Sequence, residues 1–430
     1  MTLRNLSSYY ASRAVDPVIY PALDGDRTVN VCVVGAGFTG LGAALTLARA
    51  GVDTLVVEAG RVGAGASGVN GGQVHPGQRR DQAWLERKMG EDSARQLWTI
   101  AEDARLWLGE LMTRYQIDCD YHPGLLLLAH RQGLFRDLAA DAEHLASRYG
   151  VTGLEVLDEH EVKRYTHMQR CHGGVFNPHG GHLDPLALAR GLAAAATQEG
   201  AALAEMTRVT SVTAVDGRGD GPRWRVETPE GTVHAHSVIM TGDGTLGALS
   251  GDTAAHVLPL VNFMIATEPL GALADEVLSA PIAASDTRHV VNYFRRTGDG
   301  RLIFGGGESY GSDLPANFAD RVRDRMIDLY PQLREARITH GWGGTLGITA
   351  TRMPFVRMAG QGLYIASGYS GQGVMLGPYT GRIMAEAIAG EHERFNLLTR
   401  LPTPPLPGGR WLRRPLLVAA MVGFGLLDRL

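Results

Sequence analysis

The stretch VNVCVVGAGFTGLGAALTLAR, residues 29–49, decides the fold. Its first six residues include four valines, a continuous β-branched run of the kind a buried parallel strand requires. Gly35, Gly37 and Gly40 follow in a G-x-G-x-x-G turn, and from Leu41 small and apolar residues recur at helical spacing. A second strand, TLVV at 54–57, completes a β-α-β unit. In such a unit Gly35 ends the strand in a sharp turn, Gly37 lets backbone approach a ligand, and Gly40 lets helix and strand pack closely. The helix then presents its first amides and positive dipole end to a diphosphate. Glu58 ends the second strand 23 residues after Gly35, where a carboxylate accepts hydrogen bonds from both hydroxyls of an adenosine ribose and repels a 2′-phosphate.

Two further matches to the same pattern, at 63–68 and 242–247, follow no strand that leads into a long helix, and neither has an acid at the right distance. Residues 63–73, GAGASGVNGGQ, place five glycines and two amides directly after Glu58. Either a planar polar group lies flat against backbone there, or the segment is a surface loop. The dinucleotide could be NAD or FAD. Glycine-rich turns that recur at 241–247 and 368–373 favour a long cofactor threading the whole chain, which is FAD.

At 430 residues the chain can form two or three domains, and 44% hydrophobic with 20% charged residues is an ordinary globular balance. Glycine is the unusual number, at 56 residues. With 41 basic against 45 acidic side chains and a net charge of −4, no positive field exists to hold a polyanion, which excludes nucleic acid. Cys32, Cys119 and Cys171 are odd in number and widely spaced, which fits neither a disulfide framework nor a zinc site; no metal is expected, and a reducing cytoplasm is the default compartment. Residues 1–13 lack the apolar core of a secretory signal. Residues 415–427 are uncharged and follow Arg410, Arg413 and Arg414, but are shorter than the roughly 20 residues that span a bilayer.

Helical periodicity covers 81–115 and 134–149, an alanine-rich helix covers 186–198, and strands are expected at 209–215, 224–228 and 233–240. Residues 258–267 and 289–305 alternate as sheet, and 362–390 read strand, GYSGQG loop, helix. The fold class is α/β with an α+β second domain. A Rossmann-like FAD-binding domain is expected from 28–84, 184–255 and 336–396, a discontinuous antiparallel-sheet substrate domain from 85–183 and 256–335, and a tail from 397–430.

Several pieces carry a resemblance: SSYY (7–10), VCVVGAGFTGLGAAL (31–45), GASGVNGGQ (65–73), YQIDCDY (115–121), GGHLDPLALA (180–189), GGGESYG (305–311), TRMP (351–354), GYSGQG (368–373) and LPGGRWLRRP (406–415). With these the chain resembles the D-amino-acid-oxidase-type flavoprotein superfamily, most closely its bacterial γ-glutamylputrescine oxidase branch. The resemblance implies non-covalent FAD and oxidation of an amine C–N bond to an imine by hydride transfer to flavin N5, with O2 reoxidising the flavin and giving H2O2. It implies cofactor contacts from Gly35, Gly37, Phe38, Thr39, Gly40, Glu58, Ala59 and Arg61, then from Gly65, Ala66, Ser67, Asn70, Gly71, Gly72 and Gln73. Val209, Thr241, Gly242, Gly371, Gln372, Gly373 and Val374 complete the set. Gln372 stands where such proteins often carry histidine. No cysteine lies beyond 171 and GYSGQG holds no histidine, so His75 is the remaining candidate for a covalent tether. In relatives that oxidise α-amino acids an arginine clamps the carboxylate; the corresponding position is Leu346, which disfavours an α-amino acid.

An alkylammonium with a pKa near 10.4 sits about three units above neutral pH, so freeing its amine costs roughly 4 kcal/mol, which desolvation in an apolar pocket can offset. Aromatic walls are therefore expected, from Tyr293, Phe294, Tyr310, Trp342 and Tyr369, with Gln372 bonding flavin or substrate; Arg352 is read as structural. The alternatives are an imino-acid or secondary-amine dehydrogenase that passes electrons to a membrane quinone, with the tail as a peripheral membrane contact, and a nucleotide-binding sensor without turnover.

Overall fold

The computed structural model describes residues 7–13, 17–215, 221–309 and 314–407. Tyr310 and the tail beyond residue 407 lie outside the described residues.

The valine run forms the strand Arg27–Val34, which pairs in parallel with Thr54–Val57 on one side and Gly231–Met240 on the other. A strand flanked in this way is buried on both faces, and the sequence reads accordingly as continuous rather than alternating hydrophobicity. The sheet continues outward through Leu363–Ser367 and Phe355–Gly360 at one side and Ala202–Ala204 at the other, with Trp224–Thr228 and Ser211–Ala214 attached to Gly231–Met240.

One face of this sheet is covered by the helices Phe38–Arg49, Pro185–Gln198, Gly373–Ile388 and Glu91–Arg114, whose Leu41, Leu45, Leu97, Leu108, Leu192 and Ile383 share one core. Asp184 starts the alanine-rich helix by accepting the amides of Leu186 and Ala187, and Pro185 occupies the first turn, where a missing N–H costs nothing. The other face packs Val29, Cys32, Val34, Trp224, Val226 and Phe355.

Among the described residues the second sheet has nine strands, in the order Ile338–Thr349, Val257–Thr267, Leu302–Ser309, Tyr293–Arg296, Ala283–Asp286, His122–Leu128, Gly174–His182 and Gln73–Val74, with Glu155–Leu157 beside Gly174–His182. Helix Phe318–Leu329 packs onto it through Val322 and Met326, against Phe263, Phe294 and Phe304.

Two segments fall on the other side of the division drawn from sequence. Ile338–Thr349, expected in the nucleotide domain, pairs along its length with Val257–Thr267 and is an edge strand of the second sheet. Glu91–Arg114, expected in the substrate domain, buries Ala94, Leu97, Ala101, Ala104, Leu108 and Leu111 in the core of the first sheet. In both cases the partner is remote in sequence: the strand Val257–Thr267 for the first, and helices of the first sheet's layer for the second. Among the described residues no helix is long and apolar enough to cross a membrane.

Candidate active site

A cavity of about 530 Å³ lies between the two sheets. It begins at the first turn of Phe38–Arg49. Gly37 precedes that helix in extended backbone, and no side chain of its own caps the turn. The Phe38 amide donates to Ser67 Oγ at 2.9 Å, and Gly37, Phe38 and Thr39 line the cavity. A helix start that opens on a cavity is the arrangement that holds a phosphate. Glu58 is fixed by accepting the Ala36 amide on Oε2 and the Gly60 amide on Oε1, both at 2.8 Å. Gly40 is obligatory here: a Cβ on it would meet the Gly35 carbonyl oxygen at 2.0 Å. Gly35 takes φ +108° and is held by Thr241 Oγ1, which donates to the Val34 and Gly35 carbonyls.

The glycine-rich run after Glu58 is an ordered turn. Asn70 Nδ2 donates to the carbonyls of Ala66 and Ser67, and its Oδ1 accepts the Gly72 amide. Tyr10 Oη donates to the Asn70 carbonyl and Trp342 Nε1 to the Val69 carbonyl. Gly72 admits no side chain, since a Cβ would lie 2.0 Å from the Leu183 carbonyl oxygen. Ala66, Ser67, Asn70, Gly71 and Gln73 line the cavity; Gln73 Nε2 donates to the carbonyls of Ala284 and Phe294 in the second sheet.

The cavity is also lined by Thr241, Tyr369, Gly371, Gln372, Gly373 and Val374. Gly371 takes φ +91° and a Cβ there would meet nothing within 4 Å, so backbone lies open to a flat ligand. Tyr369 is tied to the first helix by Thr39 Oγ1, which donates to its Oη at 2.8 Å. A helix start, a glycine cradle and an open glycine loop share one cavity, an arrangement that FAD would fit.

The remaining expected contacts fall elsewhere. Val209 is buried in the core beneath the first sheet and does not line the cavity, because the chain enters the antiparallel strands just after it. Arg61 pairs with Glu205 at 2.7 Å, a carboxylate that also accepts the Val62 amide. Ala59, Gly65 and Gly242 sit beside the lining rather than on it.

Of the substrate candidates, Tyr293 lines the cavity and Trp342 does not. Tyr293 donates its Oη to Asn262 Oδ1, and its ring lies over Gly71 and Gly305. Burial raises its pKa, so it stays a phenol. Trp342 shares a strand face with Gly344, Leu346 and Ile348 but lies past the cavity's edge, packed edge-on against Tyr10 at 5.3 Å. Phe294 is a core residue, stacked on Phe304. Gln372 lines the cavity, but its Nε2 donates to the Gly77 and His75 carbonyls at 3.0 and 3.3 Å, which makes it a positioning residue for that loop. His75 Nε2 pairs with Gln73 Oε1 at 3.0 Å, and burial together with the nearby Arg79 charge lowers its pKa to about 4. It is a neutral imidazole at pH 7.

Leu346 stands in the cavity wall with Leu260 opposite it and Ile348 beside it, so the position of the expected absent clamp is apolar. Charged side chains also line the cavity: Arg79, Arg80 and Arg352, and the carboxylates of Asp81, Asp141, Asp243, Asp286 and Glu308. The adjacent pair Arg79–Arg80 carries no sequence signal of a cavity position, since two arginines in a loop look like solvated surface.

The chain matches the family described as FAD dependent oxidoreductase over residues 30–387. It is 37% identical over 426 residues to the Gamma-glutamylputrescine oxidoreductase of Escherichia coli (strain K12), covering 99% of this chain and 98% of that protein. It is 36% identical over 422 residues to the Probable oxidoreductase OrdL of Rhizobium meliloti (strain 1021), covering 98% and 97%. The fold is shared with L-proline dehydrogenase from P. horikoshii, at a TM-score of 0.73 and 19% identity over 88% of this chain and 98% of that one. Glycine oxidase from Geobacillus kaustophilus gives 0.69 and 21% over 86% and 98%.

Proposed function

The chain belongs to the family of FAD-dependent oxidoreductases of the D-amino-acid-oxidase type, enzymes acting on amines or amino acids, and from that premise we propose that it oxidises the terminal amine of a long aliphatic substrate, γ-glutamylputrescine being the leading candidate. The observation that carries this reading is Leu346 in an apolar wall with Leu260 and Ile348. A carboxylate adjacent to the reacting carbon would find no partner there, whereas a methylene chain would.

When bound, FAD would supply the two-electron acceptor for the substrate, with O2 as the proposed reoxidant. The chain's own contribution is to present a neutral amine. The apolar wall and the Tyr293 ring exclude water, which shifts an ammonium toward its free base against the roughly 4 kcal/mol that deprotonation costs at neutral pH. His75 and Tyr293, both neutral, add no charge that would oppose this. Tyr293 is held by Asn262, whose Nδ2 in turn donates to the Gly307 carbonyl, so the ring wall is fixed before substrate arrives. The amine's C–H leaves as hydride and its N–H proton goes to solvent, leaving an imine that hydrolyses to an aldehyde.

Anaerobic mixing of the holoenzyme with a panel of amines tests the reading. γ-Glutamylputrescine is expected to bleach the flavin absorbance near 450 nm, and in air to yield peroxide in equal amount to aldehyde. Faster bleaching by sarcosine, proline or glycine would overturn the substrate class. Bleaching without peroxide, relieved by a quinone, would overturn O2 as acceptor.

A further inference from the structure

We propose that His75 accepts a hydrogen bond through Nδ1 from the reacting nitrogen of the substrate, holding the amine's N–H while the neighbouring C–H is transferred. This inference rests on the amine-oxidising reading and deepens it by naming the atom that holds the nitrogen.

The tautomer of His75 is decided by Gln73. Gln73 Nε2 donates to the carbonyls of Ala284 and Phe294 at 2.8 and 3.2 Å, so turning the amide round would set its oxygen against two other acceptors. Gln73 Oε1 therefore faces His75 Nε2, at 3.0 Å, and has only lone pairs to offer. Nε2 must carry the hydrogen, and in a neutral imidazole that leaves Nδ1 with a bare lone pair. Among the described residues nothing partners Nδ1, and the atom is not sealed inside the protein. His75 lines the cavity, so this lone pair is open to a ligand there.

A nearby positive charge keeps the ring an acceptor. Arg79 Nε donates to the Ser370 carbonyl at 3.0 Å, and among the described residues no carboxylate pairs with its guanidinium. Burial and that uncompensated charge hold the His75 pKa at about 4, so at neutral pH Nδ1 takes a hydrogen bond without taking the proton.

His75 also stands where two loops of the site meet. It lies two residues after the glycine cradle, and its carbonyl accepts Gln372 Nε2 of the GYSGQG loop at 3.3 Å. Two other neutral acceptors on the cavity wall are already spent: Asn262 Oδ1 takes the Tyr293 hydroxyl, and Gln73 Oε1 takes His75 itself. As the substrate's C–H bond breaks and its electron pair leaves as hydride to the flavin, the nitrogen lone pair moves into the new C=N bond. The N–H then belongs to a cationic iminium, a stronger donor than the amine. A bond to a fixed lone pair thus tightens in the transition state, and the proton passes to solvent afterwards.

Three substitutions separate this role from a structural one. His75→Asn sets an amide oxygen near the place of Nδ1 and gives up the bond to Gln73; His75→Gln does the reverse, and His75→Leu lacks both. In holoenzyme mixed anaerobically with saturating γ-glutamylputrescine, His75→Leu and His75→Gln are expected to slow flavin reduction by about 10–100-fold, as for loss of a hydrogen bond to a charged group, and His75→Asn to recover most of the rate. The flavin absorbance spectrum and the Kd for FAD should match wild type in all three. Should His75→Leu not fold, the order of His75→Asn and His75→Gln decides alone. Unchanged rates, or recovery by His75→Gln rather than His75→Asn, would overturn the proposal. A shifted spectrum with weaker FAD binding would assign Nδ1 to the flavin's own N3–H, and flavin that stays on the wild-type chain after denaturation would show Nδ1 spent in a covalent bond; either result overturns it. If no amine reduces the wild-type flavin, what fails is the function from which the proposal starts.

Discussion

Tyr293 and Gly305 face each other across two antiparallel strands, and the pair shows what one residue contributes to this site. A Cβ on Gly305 would lie 2.1 Å from the Tyr293 ring carbon Cζ, so Gly305→Ala must push the ring into the cavity or aside. Overpacking of this kind costs about 1–3 kcal/mol. Gly305→Ala is expected to lower both Tm and the rate of flavin reduction, whereas Tyr293→Phe, which keeps the ring and loses only the bond to Asn262, should retain most of the rate. His75 supplies a pH dependence. Its proton is held with a pKa of about 4 when folded, against 6.5 ordinarily, so between those values the unfolded chain binds more protons. The stabilisation is complete above pH 6.5 and is lost as pH falls toward 4, by about 2 kcal/mol between pH 7 and 5. His75→Gln should flatten the Tm profile over that window. Residues of this kind were unevenly legible. Tyr293 could be picked as an aromatic on a strand, but so could Trp342, and sequence alone does not say where along a strand face a cavity stops.

Elements meet most closely where Phe38–Arg49 crosses Gly373–Ile388. A Cβ on Gly381 would lie 2.0 Å from the Thr39 carbonyl oxygen, and one on Gly42 would lie 2.1 Å from that of Pro378. Both obstacles are backbone and cannot rotate away. Gly42→Ala and Gly381→Ala are each expected to cost about 1–3 kcal/mol or more, and because Thr39 and Gly373 line the cavity, FAD should bind more weakly. Gly133→Ala is the control: that glycine lies in helix Gln132–Tyr149 with nothing within 4 Å of its Cβ, and the change should be neutral or stabilising by up to about 1 kcal/mol. Thermal melts and FAD titration of the three variants decide this. The β-α-β unit was readable because strand, turn, helix and Glu58 lie within thirty residues of one another. Ile338–Thr349 was not, since its partner Val257–Thr267 lies far away in sequence and alternating strands of either sheet look alike.

Across the whole molecule the two sheets are joined at Asp243, beside the cavity. Its Oδ2 accepts the Gly347 amide of the second sheet and its Oδ1 the Gly368 amide that opens the cofactor loop, both at 2.7 Å. One carboxylate thus ties each sheet to the ring end of the site, a role that no motif announces, because GDGTLG reads as another glycine turn. FAD drawing contacts from both sheets should act in the same sense, adding RT ln(1 + [FAD]/Kd), about 2.7 kcal/mol at a hundredfold excess over Kd. In wild-type enzyme the rise in flavin fluorescence on heating should therefore coincide with loss of helix signal, and the flavin should leave freely, without a covalent tether. Asp243→Asn keeps one acceptor and turns an NH2 toward the other amide, leaving a buried donor unpaired at about 1–3 kcal/mol. In that variant flavin fluorescence should rise at a temperature below the loss of helix signal, since the junction loosens before either sheet melts. Coincident transitions in the variant at an unchanged Tm would mean that Asp243 does not hold the sheets together.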